Sequence, residues 1–119
     1  MMPYGPFDFD EETIDREVED NRIGNYALGY KRESDGGFVP KYVGRSDTDL
    51  KKELKAKLPT KSSTRQKFMF GYAGDRKEAF EKECKNYHDF RHQLENDIHP
   101  RRPDGTDYRC PVKDCKELQ

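Results

Sequence analysis

Two groups of residues in this chain stand at spacings that can do chemistry. The first centres on a carboxylate. Asp75, with Glu78 three residues on, reads as a helix start in the manner of a capping box. At roughly 100° per residue, Ala79, Phe80, Cys84, Tyr87 and Phe90 then gather on one side. Glu83 falls inside that apolar stripe, whereas Glu81, Lys82 and Lys85 point away. A carboxylate taken out of water needs a hydrogen-bond donor, a counter-charge or a metal ion, because the unpaired charge is costly to desolvate. The second group is the tail, where Cys110 and Cys115, with His99 or His92, offer the sulfur and nitrogen donors of a zinc knuckle. Only one such cysteine pair exists, so the alternative is two free thiols in a segment packed across a sheet edge. Arg101, Arg102 and Arg109 in the same tail either extend a phosphate-binding surface or are simply solvated.

The elements that must position these residues can be read from pattern. Tyr26-Ala27-Leu28-Gly29-Tyr30 and Phe38-Val39-Pro40-Lys41-Tyr42-Val43 look extended, and Ser34-Asp35-Gly36-Gly37 between them makes a β-hairpin. After Gly44, the side-chain oxygens of Asp47, Thr48 and Asp49 can cap a helix carrying Leu50, Leu54 and Leu58. Phe68, Phe70 and Tyr72 alternate as one face of a third strand. The expectation is an α+β domain, a small three-stranded, mostly antiparallel sheet flanked by helices.

Composition sets bounds on this reading. A chain of 119 residues forms a single domain, long enough to bury roughly 65% of its unfolded surface. Charged residues reach 39% and apolar residues only 31%, so seven Phe and seven Tyr must supply much of the core volume. The net charge of −1 hides an asymmetry: residues 8–20 hold eight acids and one base, residues 51–67 seven bases and one acid. Such a basic stripe is either a solvated face or a surface for phosphates, and the local charge matters more than the sum. Residues 1–22 read as an acidic N-terminal arm with only Ile14 and Val18 to bury, able to shield the stripe or dock a protein partner. Residues 23–92 form the main domain and residues 93–119 a loop-rich C-terminal extension packed on it. Three cysteines without an apolar leader, and no run of ~18 apolar residues, suggest a cytoplasmic protein that does not enter a membrane.

Across residues 23–90 the chain resembles the GIY-YIG nuclease family, through Gly24-Asn25-Tyr26 and Tyr42-Val43-Gly44, with Asn25 in place of the usual isoleucine. The order hairpin, helix, strand, helix is also that family's order. The resemblance implies a DNA endonuclease that hydrolyses a phosphodiester with one Mg²⁺ or Mn²⁺. It implies that Glu83, matched through Ala79-Phe80-Glu81-Lys82-Glu83, holds the metal, and that Tyr26 is the base or positions the water. Tyr42 would hydrogen-bond at the reacting centre, Gly44 would let backbone approach the phosphate, and Arg45 would neutralise it. The arginine that clamps the phosphate in the family falls on Glu53 here, leaving Lys51 and Lys52 as substitutes with point charges in place of a bidentate fork. That departure motivates a second expectation, a catalytically lapsed module of the same fold that binds nucleic acid or a protein. A third is a protein-interaction module that uses the acidic arm.

Overall fold

The computed structural model describes residues 2–113 and Cys115. In chain order it runs β1 (Tyr4–Asp8), α1 (Glu11–Glu17), β2 (Gly24–Lys31), β3 (Phe38–Ser46), α2 (Leu50–Ala56), β4 (Lys67–Tyr72) and α3 (Arg76–Phe90), with a 3₁₀ turn at Leu58–Thr60 between α2 and β4. The strands form one antiparallel sheet in the order β1-β4-β2-β3.

The β2–β3 hairpin pairs Tyr26 with Gly44, Asn25 with Arg45 and Leu28 with Tyr42. A bulge follows, since Gly29 pairs with Pro40, and it lies on an edge strand where proline's missing N–H is tolerated. The turn closes through Arg32 N–H donating to the Gly37 carbonyl (2.7 Å) and Gly36 N–H to the Arg32 carbonyl (2.8 Å). Gly36 takes φ +73°, which a side chain would disfavour.

Side chains alternate across the sheet and so build two packed layers. Tyr26, Leu28, Phe68 and Phe70 face α1 and α2, meeting Phe9, Ile14, Val18, Leu50 and Leu54. Ala27, Val43 and Met69 face the other way, toward Met2 and Tyr87 of α3. Each helix has a local reason to start where it does. Asp10 accepts from Thr13 N–H (2.8 Å), Asp49 from Lys52 N–H (3.3 Å) and Asp75 from Glu78 N–H (2.8 Å).

The sheet has four strands, not the three expected. The added strand is β1, in a stretch that Pro3, Gly5 and Pro6 mark as punctuation. Its register jumps from Tyr4↔Phe70 to Phe7↔Phe68, so Gly5 and Pro6 together lie opposite Met69. A bulge on an edge strand accommodates both residues. Gly5 has φ +106°, and a Cβ there would come within 2.7 Å of the Phe68 carbonyl oxygen.

Phe9, immediately after β1, is fully buried against Phe68. Phe9→Ala is therefore expected to cost about 3–5 kcal/mol, read from the midpoint of urea unfolding. A loosely attached arm would show almost no loss.

Candidate functional site

The sequence-derived site residues separate into two clusters, one on each face of the sheet. On the α3 face, Arg45 reaches from β3 and donates through Nη1 to Glu83 Oε1 at 2.6 Å. The same guanidinium donates through Nε to Asp47 Oδ1 (2.9 Å) and through Nη2 to the Arg101 carbonyl (2.6 Å), and it lies 5.3 Å from the centre of the Phe80 ring. Both partners are nearly enclosed, with side chains 11% and 12% exposed. Burial pushes the Glu83 carboxyl up to about 7, and the Arg45 charge pulls it only part of the way back. Burial also works against the Arg45 charge, but the hydrogen bond to Asp47 and the field of Glu83 outweigh it and raise its pKa.

Asn25, paired with Arg45 across the strands, is also buried on this face and donates through Nδ2 to the Ala79 carbonyl (2.8 Å). Its Oδ1 has no hydrogen-bond partner among the described residues. Asn25 also helps to line a hollow between α3 and β4, with Met2, Gly71, Lys82 and Asn86.

Tyr26 and Tyr42 lie on the opposite face. Their rings stack with centroids 6.3 Å apart. Tyr26 is 1% exposed, and its hydroxyl donates to Glu53 Oε2 on α2 at 2.9 Å. Burial first, and then the Glu53 charge, push this phenol far above the ordinary tyrosine range; Glu83 adds to the push only through its field. Gly44 serves the same packing, because a Cβ there would sit 2.4–2.7 Å from the Tyr26 ring and hydroxyl. The glycine thus makes room for a tyrosine, where the resemblance assigned it to a phosphate. The Tyr42 ring is covered by Arg65 (4.6 Å) and Lys57 (5.2 Å).

The two lysines expected to bind substrate differ in surroundings. Lys51 is 15% exposed, ion-paired with Asp20 (3.2 Å) and hydrogen-bonded to the Asp15 carbonyl (3.3 Å). Lys52 is exposed and lines a shallow groove with Ser46, Thr48, Asp49, Glu53 and Ala56. A resident Mg²⁺ or Mn²⁺ does not fit the Glu83 cluster as it stands, because both carboxylates near it converge on a guanidinium, which takes the place an ion would need.

A third cluster can hold a metal. His88, His99, Cys110 and Cys115 each bring a ligand atom within 4.8 Å of the others. His92, an alternative ligand in the sequence, lies exposed and outside this group. Sequence reasoning named His99 and His92 but not His88, which stands within α3 next to Tyr87 of the apolar stripe. The helix ends at Phe90, so His92, one turn further on, leaves the face that His88 shares with the tail. Cys84 sits beside Cys110, and burial raises its thiol pKa.

Compared with protein-family models, curated proteins and solved structures, the chain has no significant match in any of the three. No helix among the described residues is long and apolar enough to cross a membrane.

Two outcomes follow from this geometry. Gly44→Ala forces the Tyr26 ring against backbone and is expected to cost about 1–3 kcal/mol, with most of that cost removed in a Tyr26→Leu background; a thermal-melt double-mutant cycle measures the coupling. For Glu83 the folded pKa lies above the ordinary carboxylate value, so the folded state binds the extra proton. Its contribution is complete below pH ~4.5 and is lost as pH rises through about 7, by at most about 3 kcal/mol. Urea unfolding between pH 4 and 8 should show that decline, and Glu83→Gln should flatten it.

Proposed function

We propose that this chain is a GIY-YIG-type module whose phosphodiester chemistry has lapsed and which binds DNA through the α2 face. The observation that carries the reading is the Tyr26 hydroxyl donating to Glu53 at 2.9 Å. A phenol that is buried, raised in pKa and committed to a carboxylate is a poor base for water. The residue that accepts its hydrogen bond stands where the resemblance requires an arginine. Arg45, the other cation the chemistry would need, is held by Glu83 and Asp47. Of the two ions the sequence suggests, the donor sets favour zinc in the tail over Mg²⁺ or Mn²⁺ at Glu83.

The DNA-binding half of the reading rests on the cations of residues 51–67. Several are already matched by acids. Lys51 pairs with Asp20, Lys55 with Asp15, Arg65 with Glu95 and Lys67 with Asp8. Lys52, Lys57 and Lys61 have no ion pair among the described residues, so about three phosphates can be neutralised. These acids, Asp15 of α1 and Asp20 just beyond it foremost, thus compete with phosphate for the basic face, and binding is weak and strongly dependent on salt.

For B-DNA the expected slope of log affinity against log salt is roughly −3, from about 0.9 per phosphate contact. Fluorescence anisotropy with a labelled duplex measures it. Asp15→Asn with Asp20→Asn frees Lys51 and Lys55 and should steepen the slope to roughly −4 or −5. The same protein incubated with plasmid or branched DNA and Mg²⁺ or Mn²⁺ should leave the DNA intact. Cleavage that disappears in Tyr26→Phe and in Glu83→Ala would instead establish the endonuclease.

A further inference from the structure

Beyond α3 the chain has little of its own to hold it in place. Residues 91–113 contain no helix or strand. One cluster of their contacts sets Cys110 and Cys115, with Tyr108 and Val112, against Phe80 and Cys84; Leu94 packs near Tyr87, and Pro100 and Pro103 are buried. Side-chain hydrogen bonds add to this: Asn96 exchanges bonds with the Val43 backbone (3.0 and 2.8 Å), and Gln93 donates to the Pro40 carbonyl (3.1 Å). Regular structure and apolar burial are both scarce, yet four soft or borderline donors meet in one place.

All four ligand atoms lie within 4.8 Å of one another, and the two closest edges approach those of a tetrahedral zinc site. A Zn²⁺ held at about 2.0–2.1 Å from nitrogen and about 2.3 Å from sulfur sets nitrogen–nitrogen edges of about 3.3–3.4 Å and nitrogen–sulfur edges of about 3.5–3.6 Å. Here His88 Nε2 and His99 Nε2 lie 3.2 Å apart, and Cys115 Sγ lies 3.4 Å from the same His99 nitrogen. The Cys110 sulfur completes the group. His99 Nδ1 lies 2.9 Å from the Pro100 carbonyl, and as donor there it leaves the Nε2 lone pair turned to the cluster. That single lone pair faces both a second imidazole and a thiol, and a cation at the centre gives all of them one target.

We infer that His88, His99, Cys110 and Cys115 bind one Zn²⁺, which closes the C-terminal segment onto α3. Four protein donors leave no open coordination position, so the ion is structural. It joins points separated by ten, ten and four intervening residues, shortening every loop in a segment that otherwise carries the full entropy of ordering. The closed segment also brings the Arg101 carbonyl to Arg45, linking the tail to the Glu83 ion pair. The presence of the ion is independent of whether the α2 face binds DNA.

The full-length chain, purified without added chelator and titrated with Zn²⁺, should hold one equivalent by elemental analysis. Replacement with Co²⁺ should give the visible ligand-field absorption of a tetrahedral site and the near-ultraviolet charge transfer of two thiolates. Cys115→Ser and His88→Ala should each lose stoichiometric metal, while His92→Gln and Cys84→Ala retain it. Chelation of the wild-type protein should release the amides of residues 93–113 to hydrogen exchange while β2 and β4 stay protected, a readout that needs no variant to fold. No bound Zn²⁺ together with no Co²⁺ spectrum overturns the site. Loss of metal in His92→Gln or Cys84→Ala, with retention in His88→Ala or Cys115→Ser, overturns the ligand set.

Discussion

A carboxylate carried between a sheet and a helix must find a counter-charge, and the Glu83–Arg45 pair is where this fold meets that demand. The pair does more than neutralise itself. Arg45 spends its remaining donors on Asp47, in the turn that leads to α2, and on the Arg101 carbonyl in the tail. One guanidinium thereby ties together α3, the end of β3, the approach to α2 and the C-terminal segment. Its planar fork suits that task, whereas a lysine would reach fewer acceptors. Removing Arg45 leaves Glu83 buried without its counter-charge, whereas removing Glu83 leaves Arg45 still bonded to Asp47.

On the other face of the sheet the organising group is a phenol. Tyr26 can lie flat over β3 only because its cross-strand partner is Gly44, and its hydroxyl is satisfied only because Glu53 projects from α2. The three residues are mutually dependent. The phenol is shut away from water, the glycine is covered by its ring, and the Glu53 carboxylate accepts from its hydroxyl. Alternation along β2 and β3 puts Tyr26 and Tyr42 on one side of the sheet and Arg45 on the other. The residues that the family resemblance groups as one centre therefore reach different layers of the molecule.

Charge is arranged on the same scale. An acidic segment lies beside the basic helix α2, with Asp15 of α1 and Asp20 just beyond it set against Lys55 and Lys51. Ion pairs this exposed contribute little to stability. Their larger effect is that any anionic ligand of those lysines must first displace a carboxylate already in place.

Local rules made much of the architecture legible. The hairpin around Gly36, the Asp75 cap, the Leu50 and Leu54 face of α2 and the inward turn of Glu83 all depend on residues within a few positions of one another, and periodicity or capping chemistry reports them directly. Strand β1 was hidden because proline and glycine argue locally against a strand, and only the exposed edge of β4 makes one. His88 was hidden for a related reason, since the point at which α3 stops decides which of two histidines one turn apart faces the tail. The sequence by itself determined the kinds of element from β2 to α3, their order and the need of Glu83 for a partner. The tertiary structure alone decided that the partner is Arg45, that the Tyr26 hydroxyl donates its hydrogen bond to Glu53, and that the two clusters lie on opposite faces. Such pairings depend on distances through space between groups far apart along the chain, and those distances exist only once the layers have packed.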